Sequence, residues 1–303
     1  LRTRGEDQVV QAIDIDQSAL EVYAANHRIA PTCVTLESIR DLPNADLWWL
    51  SPPCQPYTRR GRQLGERDSR SLALSHLIDL VARDLPRLIL LENVPEFAGS
   101  AHHQSLSDTL RSAGYLLKTD EICPTQFGIP MRRKRFYLRA RRDEVELAPI
   151  IPPDTARFQT RLLSEFLDED AWLDRSLRPP DELLKSYRSA MNVVDLEKPD
   201  AVATCFTSAY GRSPVHAGSY LYCPQRRVIR RFSVLEIGRL MGFPDSWTWP
   251  VKMNQRTRYR LLGNSLSITV VRALFDSMLD LRRRGAATVI EDTTQHGARS
   301  SIR

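Results

Sequence analysis

The stretch Leu88-Ile89-Leu90-Leu91-Glu92-Asn93-Val94-Pro95 decides the fold. Four consecutive apolar residues, too short a run for a helix, describe a strand covered on both faces, as in the middle of a parallel α/β sheet. A carboxylate and an amide follow at once, and Pro95 ends the extended run. The carboxyl ends of such strands are where parallel α/β sheets hold their ligands. On both sides of this stretch the chain alternates strand-like and helix-like segments. Upstream, residues 9–15 read as a strand ending in an acid and 18–26 as a helix. Residues 45–50 are a strand stopped by Pro52-Pro53, and 72–85 a helix. Downstream, a helix over 105–112 closes on Gly114, and 134–139 looks like the last strand of this half. The pattern predicts a doubly wound α/β domain.

From about 142 to 231 prolines punctuate short segments, as in a smaller, irregular second domain. Helical periodicity returns over 234–241 and 266–281, and the tail beyond 282 is expected to be poorly ordered. The 303 residues make room for one large domain or a large and a small one, and 42% hydrophobic content excludes a disordered chain. No apolar run is long enough to span a membrane, and the opening LRTRGEDQ is not a signal peptide. Five cysteines at irregular spacing form no CxxC pair, so the reading is an intracellular chain with reduced thiols. The six histidines fall in no metal-ligand spacing. The net charge is +6, with arginine clusters at 59–60, 132–135, 226–231 and 256–260. Each alone suits a solvated face; together they point to a polyanion, nucleic acid first.

Four elements carry candidate chemistry. Ser51-Pro52-Pro53-Cys54-Gln55-Pro56-Tyr57 places a thiol at a strand end, with Arg59 and Arg60 near enough to lower its pKa. Read by itself, such a cysteine is more often a small buried hydrophobe. Glu92-Asn93 stands at what should be the same sheet edge; Glu92 either caps the next segment, pairs with an arginine or, held partly protonated, donates to a ring nitrogen. In Gly128-Ile129-Pro130-Met131-Arg132-Arg133-Lys134-Arg135, an extended backbone puts Arg133 and Arg135 on one face. Two guanidinium forks there suit phosphate, carboxylate or a base edge, though an exposed basic edge strand reads equally well. Finally, Arg260-Leu261-Leu262-Gly263-Asn264-Ser265 is read as heading a long helix, with Gly263 allowing close backbone approach and Asn264 or Ser265 as N-cap.

Taken in this order, the strand-end PPC, ENV, the paired-arginine strand and the late GNS resemble the cytosine-C5 methyltransferases. Residues 12–26, and Arg231-Phe232-Ser233 through Gly242-Phe243-Pro244, are similar to two further segments of that family. Thr204-Cys205-Phe206-Thr207-Ser208-Ala209-Tyr210-Gly211 resembles the CFT signature of its tRNA-aspartate branch. The resemblance implies a Rossmann-like methyltransferase domain over 1–141 and 255–283, a target-recognition domain over 142–254, and a disordered tail over 284–303.

It also implies roles. Cys54 would attack C6 of cytosine, Glu92 would stabilise the charge pushed into the ring, and Arg133 and Arg135 would hold the base carbonyl and the nearby phosphate or thiol loop. S-adenosylmethionine would be held by Asp14, Ile15, Pro53, Asn264 and Ser265. Gln55, Asn93, Cys205, Phe206, Thr207 and Tyr210 would contact substrate. The implied partner is tRNA rather than DNA, met by a cytoplasmic monomer away from membranes, with a nuclear location open. Two departures stand out. The glycine-rich loop that opens the family's cofactor site has no counterpart: either an N-terminal segment has been lost or the protein does without it. Met131 stands where many relatives carry Gln. Two alternatives follow: a DNA cytosine-C5 methyltransferase, and a catalytically impaired nucleic-acid-binding fragment.

Overall fold

In the computed structural model residues 8–53, 69–143, 145–152 and 161–279 are described. Strand β1 (Ile13–Asp14) leads into helix α1 (Gln17–Asn26), and β2 (Thr32–Cys33) returns parallel to β1. Asp16 caps α1 by accepting from the Ser18 N–H at 3.0 Å. The strand expected over 9–15 is thus reduced to two residues, which fits a partner strand equally short.

A four-stranded sheet follows. Its members are β3 (Leu47–Leu50), β4 (Leu88–Asn93), β5 (Leu116–Ile122) and β6 (Arg135–Arg141), in the order β3-β4-β6-β5. β3 and β4 are parallel, as the sequence suggests, but β6 inserts antiparallel between β4 and β5. The sheet is therefore mixed. Helices α2 (Ser69–Asp84) and α3 (Ala101–Ser112) cover one face and α7 (Ile268–Leu279) the other.

The apolar run explains itself in this sandwich. Ile89 and Leu91 pack with Leu77, Val81, Leu106 and Leu110 on one side, whereas Leu88 and Leu90 pack with Val270, Leu274 and Met278 on the other. All four strand residues are buried. Arg139 is buried as well; it bonds Asp120, the Ala148 carbonyl and Ser277 Oγ, so that α7 is pinned to the sheet by a satisfied guanidinium.

The smaller lobe holds α4 (Asp181–Tyr187) and a three-stranded sheet, β7 (Asn192–Asp195), β8 (Ser219–Cys223) and β9 (Val228–Arg231). Helix α5 (Val234–Met241) opens with a capping box between Ser233 and Glu236 and ends on Gly242 at φ +83°. Helix α6 (Gln255–Asn264) ends where the sequence suggests a helix begins. Gly263 and Asn264 are its last residues and Ser265 its C-cap, which corrects the N-cap reading of Asn264 and Ser265. Helix α7 starts afresh at Ile268.

Candidate active site

Two parallel strands and one antiparallel strand bring their ends to the same edge. β3 runs into Ser51-Pro52-Pro53 there, β4 ends there in Glu92-Asn93, and β6, running the other way, begins there at Arg135. Buried Asn93 donates its side-chain amide to the Pro52 carbonyl at 3.3 Å, so the PPC and ENV strand ends are joined directly. Cys54 and Gln55 lie outside the described residues. Pro53, which leads into them, is exposed beside the buried Pro52.

Glu92 sits opposite Tyr137 on β6, and Arg135 lies two residues earlier on the same face. The diagonal places the Arg135 Nε 3.2 Å from Glu92 Oε1, with both side chains about one-sixth exposed or less. Burial pushes the Glu92 carboxyl above its ordinary value, against the pull of Arg135 and Arg133. Tyr137, buried beside it, is held neutral by the same desolvation and by the carboxylate's charge. The site thus contains an acid biased toward its protonated form next to a fixed cation.

Arg133 does something else. Its guanidinium is 3% exposed and bonds the carbonyls of Phe206 at 2.8 Å, Gly263 at 2.9 Å and Ser265. It braces the CFT loop against the end of α6, while its Nε is buried without a hydrogen-bond partner among the described residues. The expected common face holds, because the Cys205 Sγ lies 3.3 Å from Arg133 Nη1 and 3.9 Å from Arg135 Nη2. Met131 is fully buried, pairing with Ala203 in a short parallel bridge that ties the arginine segment to the smaller lobe.

Phe206 and Tyr210 are core residues, 1% and 2% exposed, packed edge to face 5.0 Å apart. The structure places them beneath the loop instead of on a contact surface. Cys205 and Thr207 do line an open cleft, together with Asn192, Thr204, His216 and Gly218. Gly263 shows why close approach was written into the sequence: a Cβ there would stand 2.2 Å from the Thr207 carbonyl carbon.

The residues expected on the cofactor side form a second group. Asp14 is exposed at the end of β1 and accepts from the Asp16 N–H at 2.9 Å; Ile15 is exposed next to it. Asp16 is bonded in turn by Arg260 of α6, one turn before Asn264, and this pair holds the Asp16 carboxyl below its usual value. Arg260 is a residue to which the sequence assigns no role beyond its basic cluster. It ties the turn carrying Asp14 to the helix carrying Asn264 and Ser265. An exposed carboxylate at a parallel strand end has the chemistry to accept from a ribose diol, and so fits one end of a nucleoside cofactor. Among the described residues no glycine-rich turn precedes β1.

Known proteins resemble this chain in sequence and fold. The profile of the C-5 cytosine-specific DNA methylases matches residues 3–280. A Schizosaccharomyces pombe tRNA (cytosine(38)-C(5))-methyltransferase is 31% identical, over 90% of this chain and 89% of that one. The human tRNA (cytosine(38)-C(5))-methyltransferase is 28% identical, over 88% and 92%. A Dictyostelium discoideum DNA (cytosine-5)-methyltransferase is 29% identical, over 90% and 89%. The crystal structure of the S. pombe Dnmt2 methyltransferase superposes with a TM-score of 0.79 at 28% identity, covering 91% of this chain and 92% of that one.

Proposed function

This chain belongs to the C-5 cytosine-specific DNA methylase family and is a cytosine-C5 methyltransferase, and from that premise we propose that its substrate is a cytosine in a tRNA anticodon loop. Support for RNA over DNA comes from the relatives named tRNA (cytosine(38)-C(5))-methyltransferase and from the CFT loop braced by Arg133. The catalytic domain is taken as 1–141 with 255–283, the target-recognition domain as 142–254, and the working unit as a monomer.

Cytosine C5 is a poor nucleophile. The Cys54 thiolate adds to C6, which breaks the aromatic system and makes C5 an enamine carbon. Glu92, protonated and hydrogen-bonding at N3 and the exocyclic amine, neutralises the charge that the attack drives into the ring. S-adenosylmethionine, when bound, supplies an electrophilic methyl group. Asp14 and Ile15 would hold its nucleoside end, and Pro53, Asn264 and Ser265 would line the opposite side. Loss of the C5 proton then allows the Cys54–C6 bond to break. A loop nucleotide of tRNA leaves its stack more cheaply than a base in a duplex. Gln55 and Asn93 would flank the flipped base, and Arg135 would orient Glu92.

The observation that carries this reading is the buried Glu92–Arg135 pair at the strand edge that Asn93 ties to Pro52. Methyl transfer measured side by side on tRNA and duplex DNA tests it. Label in tRNA alone is expected; label in DNA alone would overturn the substrate, and label in neither would overturn the activity.

A further inference from the structure

We propose that the cleft beside the CFT loop is a second nucleotide subsite, which receives a nucleotide adjacent to the target cytosine and stacks its base on His216. The proposal rests on the nucleic-acid reading above and deepens it. The open cleft measures about 500 Å³, room for a nucleobase with its sugar, and its lining includes Ala190, Met191, Asn192, Thr207, His216 and Gly218.

His216 has φ +58°, a left-handed backbone that L residues with a side chain adopt only when their surroundings enforce it. The enforcement is visible. The Ala217 carbonyl accepts from the Thr207 N–H at 2.8 Å. The backbone of Gly218 lies so close to Phe206 and Tyr210 that a Cβ there would meet their rings at 2.6 and 2.7 Å. The buried aromatic floor therefore fixes the turn, and the exposed imidazole is carried on it at the cleft. An aromatic ring carried on a fixed turn at a polar opening can serve an unstacked base as a platform.

The cleft also offers polar edges. Asn192 Oδ1 accepts from Ser219 Oγ at 2.5 Å, which fixes the amide with its NH2 as the group left to donate. Thr207 of the CFT loop lines the same cleft, its hydroxyl accepting from the Ala209 N–H at 3.3 Å. The position relative to the target base follows from Cys205, which lines this cleft and touches Arg133 and Arg135, while Arg135 bonds Glu92. One cysteine and one arginine separate the cleft wall from the acid at the target base.

A binding cycle tests the subsite. Equilibrium affinities are measured for full-length wild type, His216→Gly and His216→Phe, against tRNA and against tRNAs made abasic immediately 5′ or 3′ of the target cytosine. Glycine suits the backbone at this position and so keeps the turn. On intact tRNA, His216→Gly is expected to lose about fivefold or more in affinity, and His216→Phe to retain wild-type binding through its ring. One of the two abasic tRNAs should weaken wild type by a similar factor and leave His216→Gly unaffected. Equal losses for wild type and His216→Gly on both abasic tRNAs, or no loss in any pairing, would overturn the subsite. Methylation of intact tRNA by wild type is scored separately: its failure counts against the proposed function, whereas its success with a flat cycle counts against the subsite alone.

Discussion

Glu92 is ionisable, largely buried and paired, and those three facts compete. A neighbouring guanidinium lowers a carboxyl pKa and burial raises it; here burial wins. The protonated form is the useful one for the proposed chemistry, so the rate should fall as pH rises through the raised pKa. Glu92→Gln keeps the shape but gives up the proton, and is expected to slow methyl transfer by about 100-fold or more. Its residual rate should lack that alkaline decline. A pH–rate profile unchanged in the variant would refute the role. Arg133 makes a different case. Replacing it by Met leaves the buried carbonyls of Phe206, Gly263 and Ser265 bare, at about 1–3 kcal/mol for each that finds no other partner. A loss of about 3 kcal/mol in urea unfolding is expected, and an unshifted midpoint would show that the brace carries no weight.

At the scale of elements, the end of α6 was the least legible feature. Locally the Ser265 N–H closes the last turn on the Leu262 carbonyl, and Arg133, more than a hundred residues earlier, takes the Gly263 and Ser265 carbonyls. A long-range partner leaves no mark in the local sequence. Strand β5 was also missed, since its residues are mostly polar or exposed, as suits an edge. Strands β7, β8 and β9 were hidden by the prolines around them. Gly263, by contrast, was readable as a point of close approach, although not against Thr207. Gly263→Ala drives a methyl into that backbone and should cost about 1–3 kcal/mol through displacement of the CFT loop from α6. Thermal melting checks it, and a variant as stable as wild type would mean that the contact relaxes without cost.

For the whole molecule, the layered α/β sandwich was legible because a strand covered on both faces must be apolar at every position, as residues 88–91 are. The antiparallel β6 was not. The sequence shows an arginine-led strand but not its direction, and it is this direction that brings Arg135 back to the edge where β4 presents Glu92. Of the site, the acid, the paired arginines and the acidic end of β1 were visible in advance; the Arg260 tie to Asp16 was not, because it joins residues 244 apart in the chain. A net charge of +6 implies counterion release on RNA binding, so log affinity for tRNA should fall linearly with log salt, by about 0.7 per phosphate engaged. An affinity independent of salt would argue against a polyanionic partner held by the arginine clusters.

The proposed reaction turns on a covalent bond from Cys54 to the target base, assisted by Glu92. It is tested most directly with tRNA carrying 5-fluorocytosine at the target position, where the C5 substituent cannot leave as a proton and the adduct accumulates. After incubation with S-adenosylmethionine and proteolysis, mass spectrometry should find the methylated fluoronucleotide on the peptide that contains Cys54, with far less in Glu92→Gln. A nucleotide found on Cys205, or no adduct at all, would contradict the account.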